Sequence, residues 1–241
     1  MKLTDMMRRI QNGFCSAVIV AAGHSERMGE DKLFLTVGGR PVLALTLSAF
    51  QESPDVQEIV LVTTPERVDA VDKLRKGYHL DKLTQVIFGG ETRTESAYRG
   101  VMAVSRQAEL ICIHDGARPF VTQRVIADAV RGAALDLAAA PAIPVKDTLK
   151  QAEGGVVKAT PPRESLFAIQ TPQAFRAELI RAALAKAHES GTVYSDDCAA
   201  VEAIGGVIHL TKGDEQNVKL TTPQDRLLAE AIWNSRKEAE P

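Results

Sequence analysis

Short apolar runs alternate along this chain with longer amphipathic segments, and that alternation constrains the fold more than any other feature. Residues 15–21 (CSAVIVA) read as a buried first strand that runs into Ala22-Gly23. Residues 41–50 read as a helix opened by Pro41, whose missing N–H does no harm at a helix start. Residues 58–63 (EIVLVT) form a second expected strand, and residues 65–76 a helix with Thr64 as N-cap and Pro65 at its first position. A third strand is expected at 85–88, stopped by Gly89-Gly90, with a helix at 94–107. A fourth strand at 110–114, a helix at 122–135 and a strand at 138–143 continue the pattern. Strands separated by helices imply parallel βαβ units with right-handed crossovers. The expected class is therefore α/β: a Rossmann-like, mostly parallel twisted sheet flanked by helices. Ligands of such sheets bind beyond the carboxyl ends of the strands.

The alternation fails over residues 144–171, where Pro144, Gly154, Gly155, Pro161 and Pro162 punctuate short extended pieces. This stretch reads as a protruding β-arm. A lone hairpin cannot bury its own faces, so the arm is expected to pack on a second subunit. Helix resumes at 175–190 and 196–204, a strand follows at 206–210, and an amphipathic helix at 222–236 closes the chain. Residues 14–241 are expected to form one domain, preceded by a polar extension over residues 1–13.

At 241 residues, with 45% apolar and 25% charged residues, the chain suits one domain with a substantial core. A formal net charge of -2 supplies no general attraction for nucleic acid or an anionic membrane. No run of about 18 apolar residues occurs, and residues 1–13 lack an apolar leader core, so neither membrane spanning nor secretion is expected. Cys15, Cys112 and Cys198 form no C-x-x-C pair and suit reduced thiols, pointing to the cytoplasm.

Polar clusters follow the strands. Ala22-Gly23 opens a loop that carries Arg27 and Lys32, two cations suited to polyphosphate oxygens beside a glycine turn. The loop is neither a Walker motif nor a dinucleotide fingerprint, which disfavours an NAD-dependent dehydrogenase. Gly89-Gly90-Glu91-Thr92-Arg93-Thr94-Glu95-Ser96 permits close approach to a flat ring, with Ser96 able to meet a base edge; equally, it suits a turn with Thr92 or Thr94 as helix cap. After the fourth strand, Asp115 precedes Gly116 and Arg118. Asp115 is placed to hold Mg²⁺ or a ribose hydroxyl, or to pair with Arg118; His114 reads as packed rather than as an acid or base. Arg163, Thr148 and Thr171 frame the arm, and Lys219 can return to the cleft from its loop. No nucleophile–histidine pair accompanies these cations, which favours nucleotidyl or phosphoryl transfer.

The phrases AAGHSERMGEDK, GGETRTESA, HDGARPF, VKDTLK, PRESLFAIQTPQAF, SDD and NVKLTTPQD stand in an order and spacing that resemble the 2-C-methyl-D-erythritol 4-phosphate cytidylyltransferases. The likeness spans residues 17–229. Molybdopterin guanylyltransferases share a loop similar to the first phrase; HDGARP with TPQAF is the more specific combination. The resemblance implies that Arg27 and Lys32 bind the CTP triphosphate, with Ala22, Gly23, Gly90, Glu91, Arg93, Ser96, Asp115 and Gly116 around the nucleotide and Asp115 near ribose or metal. It implies that Arg163 and Lys219 position the acceptor phosphate, with Thr148 and Thr171 nearby, and that the arm exchanges between subunits. Magnesium is the implied cofactor, and CTP and a polyol phosphate the implied partners. Two departures stand out: many members carry a longer Arg-to-Lys spacing with Pro before the Lys, where this chain has Asp31, and many carry Ala in place of Gly116. Ribitol 5-phosphate cytidylyltransferase is the nearest alternative, and a non-catalytic CTP-binding protein a more distant one.

Overall fold

The computed structural model describes residues 13–23 and 31–238. Its strands are β1 (Cys15–Val20), β2 (Thr36–Val37), β3 (Arg40–Pro41), β4 (Glu58–Thr63), β5 (Leu83–Phe88), β6 (Leu110–Asp115), β7 (Ala138–Pro144), β8 (Gln151–Glu153), β9 (Val156–Ala159), β10 (Phe167–Ile169), β11 (Gln173–Arg176) and β12 (His209–Lys212). The helices are α1 (Val42–Glu52), α2 (Val68–Gly77), α3 (Arg93–Ala103), α4 (Gln123–Asp136), α5 (Ala177–Ser190), α6 (Asp197–Glu202) and α7 (Pro223–Glu238).

The main sheet runs β5-β4-β1-β6-β11-β7, with β10 and β12 also paired to β7. Strands β1, β4, β5 and β6 are parallel, while β11 is antiparallel to both β6 and β7. Every residue of β4 and β6 is buried, because helices cover both faces of a parallel sheet. Alternate side chains enter separate cores. Ala17, Ile19, Ile59, Leu61 and Cys112 meet Leu43, Leu47 and Phe50 of α1, Val71 of α2 and Val125 of α4. Val18, Val60, Val62, Ile111 and Ile113 meet Val101 of α3, Ile180 and Leu184 of α5 and Val201 of α6. A third, smaller cluster seats Ala229 and Ile232 of α7 on Val37, Val42, Leu45 and Phe120. Among the described residues, no helix is long and apolar enough to cross a membrane.

The structure differs from the sequence reading in four places. Phe175 and Arg176 extend β11 rather than opening a helix; Phe175 pairs with Ile111 on one side and Ala138 on the other, and α5 begins at Ala177. The segment after β4 starts as a 3-10 turn over Pro65–Arg67, and Thr64 makes no side-chain capping bond. The last strand lies at His209–Lys212, beyond Gly206, where it pairs with β7 in parallel. Helix α3 is also shorter than the pattern suggests, ending at Ala103.

Within residues 144–171, β8 and β9 form a separate antiparallel hairpin, as expected for an arm. Gly154 and Gly155 both have positive φ (57° and 79°), the two-residue turn that matches strand twist and that glycine adopts without strain. Every residue of both strands is exposed.

Candidate active site

The carboxyl ends of β1, β5 and β6 open onto a cavity of about 280 Å³, lined by Val20, Ala21, Ala22, Gly23, Lys32, Leu33, the Gly90–Arg93 turn, Ser96, Asp115, Ala117 and Lys219. Local chemistry explains each wall. At the β5–α3 junction Thr92 is the N-cap: its hydroxyl accepts the Glu95 N–H at 3.0 Å, and Glu95 reaches back to accept the Glu91 N–H at 3.0 Å. The Ser96 hydroxyl accepts the Gly90 N–H at 3.1 Å and so folds the turn over the helix start. Gly89 has to lack a side chain, since a Cβ there lies 2.3 Å from the Ala22 Cβ and 2.7 Å from the Ser96 Oγ. The β1 and β5 walls therefore touch at a point with no room for a methyl group.

Asp115, 7% exposed at the end of β6, is the electrostatic centre. Its Oδ1 lies 3.4 Å from Arg93 Nε, and its Oδ2 lies 3.2 Å from Arg118 Nε and 3.0 Å from Lys219 Nζ. Burial alone pushes this carboxyl up, but the attraction of Arg93, Lys219 and Arg118 holds it well below the usual carboxylate range. Arg93 also donates to Asp197 Oδ2 at 2.7 Å. Burial opposes the Arg93 charge, yet Asp197 and Asp115 together raise its affinity for its proton. Asp197 is pushed up by burial, which outweighs its Arg93 contact.

Lys219 reaches Asp115 because its loop is stitched to the loop after β6. Leu220 N–H donates to Ala117 O at 2.9 Å, and Arg118 Nη1 donates to Asn217 O at 2.8 Å. Buried Asn217 in turn donates to Thr171 O at 2.9 Å, tying in the base of the arm. His114 sits under this floor, fully buried against Phe50 with ring centroids 4.9 Å apart. The Arg118 carbonyl can only accept, so His114 Nε2 carries the proton there (3.2 Å), and Nδ1 accepts from the Thr171 hydroxyl at 2.9 Å. Burial brings His114 down to about 3, so the ring stays neutral.

Of the residues singled out from sequence, Ala22, Gly23, Lys32, Gly90, Glu91, Arg93, Ser96, Asp115 and Lys219 meet at the cavity. Arg27 lies outside the described residues. Gly116 is buried behind the wall, donating its N–H to Val20 O at 2.9 Å. Thr171 is also buried, its hydroxyl accepting the Asp115 N–H at 3.2 Å while serving His114. Thr148 and Arg163 are exposed on the arm, and Arg163 Nη1 donates to Lys146 O at 3.2 Å. Asp115, expected from sequence near ribose or metal, is engaged by the chain's own cations. Both carboxylate oxygens already face cations, and no group of His, Cys, Asp and Glu side chains able to hold a metal ion occurs among the described residues. Sequence reasoning missed Asp197, which pairs with Arg93 and hides in the sequence behind the capping residue Asp196.

A cationic cavity with one clamped carboxylate and a capped helix start suits a polyanion bearing hydroxyls. Comparison with known proteins agrees. Residues 15–235 match the family model described as IspD, 2-C-methyl-D-erythritol 4-phosphate cytidylyltransferase. The chain is 43% identical over 219 residues to the 2-C-methyl-D-erythritol 4-phosphate cytidylyltransferase of Caldanaerobacter subterraneus subsp. tengcongensis, covering 89% of this chain and 96% of that one. Its fold matches the crystal structure of 4-diphosphocytidyl-2C-methyl-D-erythritol synthase from Anaerococcus prevotii with a TM-score of 0.84 at 31% identity, over 92% and 99% of the two chains. The crystal structure of the Thermus thermophilus cytidylyltransferase matches at 0.75 and 36% identity, over 90% and 98%.

Proposed function

The chain belongs to the 2-C-methyl-D-erythritol 4-phosphate cytidylyltransferase family, and from that premise we propose how it transfers CMP from CTP to 2-C-methyl-D-erythritol 4-phosphate, releasing pyrophosphate. The observation that carries the reading is the convergence of Lys32, Arg93 and Lys219 on one cavity at the carboxyl ends of β1, β5 and β6. Cytosine lies in the Gly90–Ser96 turn, the triphosphate against Ala22, Gly23, Lys32 and Arg27, and Asp115 by the ribose. The acceptor's phosphate oxygen attacks the α-phosphorus in line and pyrophosphate leaves. That nucleophile is already an anion near neutral pH, so no general base is needed. The barrier lies in bringing two anions together, and fixed Lys and Arg donors lower it. Lys219, with its ammonium beside Asp115 and its side chain 38% exposed, is free to turn toward the incoming phosphate.

A divalent cation such as magnesium would come with CTP and add to the neutralisation of its charge, alongside Lys32 and Arg27. Such ions are commonly held by substrate phosphates with few protein ligands. The arm acts across a homodimer. Leu149, Val156, Val157 and Phe167 are exposed apolar residues there, and Arg163 and Thr148 stand outside the cavity of their own subunit. A cytoplasmic setting fits the three free, buried cysteines. Pyrophosphate release with CTP across a panel of polyol phosphates tests the reading. Preference for 2-C-methyl-D-erythritol 4-phosphate is expected, and preference for ribitol 5-phosphate contradicts it.

A further inference from the structure

Arg67 ends the 3-10 turn before α2, is only 8% exposed and does not line the cavity, yet its guanidinium contacts converge on the segment that does. Nη1 donates to Ala21 O at 2.6 Å and Nη2 to Gly23 O at 3.2 Å. Nε donates to Asp31 Oδ2 at 2.6 Å. Three donors of one rigid planar fork therefore hold the chain on both sides of residues 24–30. Lys32, the cavity cation, directly follows the carboxylate that Arg67 grips. Asp31 is itself well fixed: its Oδ1 accepts the Leu33 N–H at 3.2 Å, and its carbonyl accepts the Phe34 N–H at 2.9 Å.

Two physical points make this more than packing. A buried guanidinium is costly unless its donors are matched, and here the matching groups are the two ends of one loop. The carbonyl and the following N–H of a trans peptide point in opposite directions, so holding the Ala21 carbonyl turns the Ala22 N–H away from Arg67. Ala22 lines the cavity, and Arg67 does not.

We infer that Arg67 is a positioning residue: with Asp31 it clamps both ends of the segment that carries Arg27, and so sets Lys32 against the nucleotide. Asp31 stands where many members of the family carry Pro, so this chain offers Arg67 a carboxylate at that position. The inference rests on the nucleotidyl-transfer reading above.

The test compares Arg67→Met, Arg67→Lys and Asp31→Asn with the unaltered protein, in steady-state turnover and in hydrogen exchange. Displacing a reacting group by about 1 Å costs on the order of 10²-fold, so Arg67→Met should lower kcat by about that factor. KM for the polyol phosphate should stay within about twofold; a partly unfolded population would lower apparent kcat in the same way, so turnover is referred to protein shown by its melting curve to be fully folded at the assay temperature. Arg67→Lys, keeping the charge but not the fork, should restore only part of kcat. Exchange should quicken at residues 21–23 and 31–34, the flanks that Arg67 and Asp31 hold, more than in strands β4 and β6. If Arg67→Met fails to fold, Arg67→Lys and Asp31→Asn carry the test, each expected to lower kcat by more than about threefold with quicker exchange at those flanks. Folded variants with kcat within about threefold of the unaltered protein, or with unchanged exchange at 21–23 and 31–34, overturn the clamp. Absence of turnover in the unaltered protein would instead sink the proposed function, and the exchange data alone would then decide the clamp.

Discussion

Asp115 is 7% exposed and meets three cations, whereas Arg163 on the arm is exposed and donates only to a backbone carbonyl among the described contacts. The first region is assembled before any ligand arrives. Its charges are paired, its turn is capped, and its histidine is held in one tautomer. Such preorganisation spares the reaction the reorganisation that water would require. The second region has a hairpin with both strands exposed and apolar residues facing outward. On the proposed reading, the nucleotide belongs to the site built within one subunit, and the acceptor to a site that a second subunit's arm completes.

The largest expected effect lies in the prebuilt region. Lys32→Ala should lower kcat by about 10²–10³-fold, the usual loss for one transition-state donor, while the melting temperature changes little. Unchanged turnover would remove Lys32 from the chemistry. Next comes the arm. Arg163→Ala should weaken use of the polyol phosphate about 10–100-fold, the range for losing one charge-assisted contact, and leave CTP affinity unaltered. Mixing Arg163→Ala with Lys32→Ala sharpens the comparison. If the arm serves the neighbouring site, hybrid dimers regain one intact site, and an equal mixture recovers about a quarter of full activity. No recovery would mean that the arm serves its own subunit.

The smallest effect concerns pH. Unfolded His114 takes up a proton below its ordinary value of 6.5, but the folded protein resists until about 3. Between those values the unfolded state binds more protons, so stability falls as pH drops, by up to about 1.4 kcal/mol per pH unit. Asp115, held low, adds a further loss only below its ordinary value of 3.8. Urea unfolding between pH 7 and 5 should show the His114 slope, and His114→Gln should flatten it. An identical slope in the variant would show that another group is responsible.

The parallel core was legible because β1, β4 and β6 are apolar on both faces, a pattern that survives any tertiary context. Strand β11 was not: four residues are too few to show a period of two, and α5 follows without a break. The β2–β3 hairpin was likewise passed over, although Gly38-Gly39, both with positive φ, is a turn signal between two short extended pairs. Cavity residues that end strands were readable from their positions, Asp115 above all. The sequence suggests Gly116 near the nucleotide and Thr171 near the acceptor, but it carries no sign that the Gly116 N–H and the Thr171 hydroxyl are engaged inside the wall. Arg67 was unreadable, since an arginine opening a helix looks solvated until three separate acceptors are brought to it by folding.

The most direct measurement is a crystal structure with CTP bound. The account predicts cytosine within the Gly90–Ser96 turn, phosphates against Lys32 and the Ala22-Gly23 backbone, and Asp115 still joined to Arg93 and Arg118. Nucleotide bound away from the β1, β5 and β6 ends, or phosphates out of reach of Lys32, would contradict it.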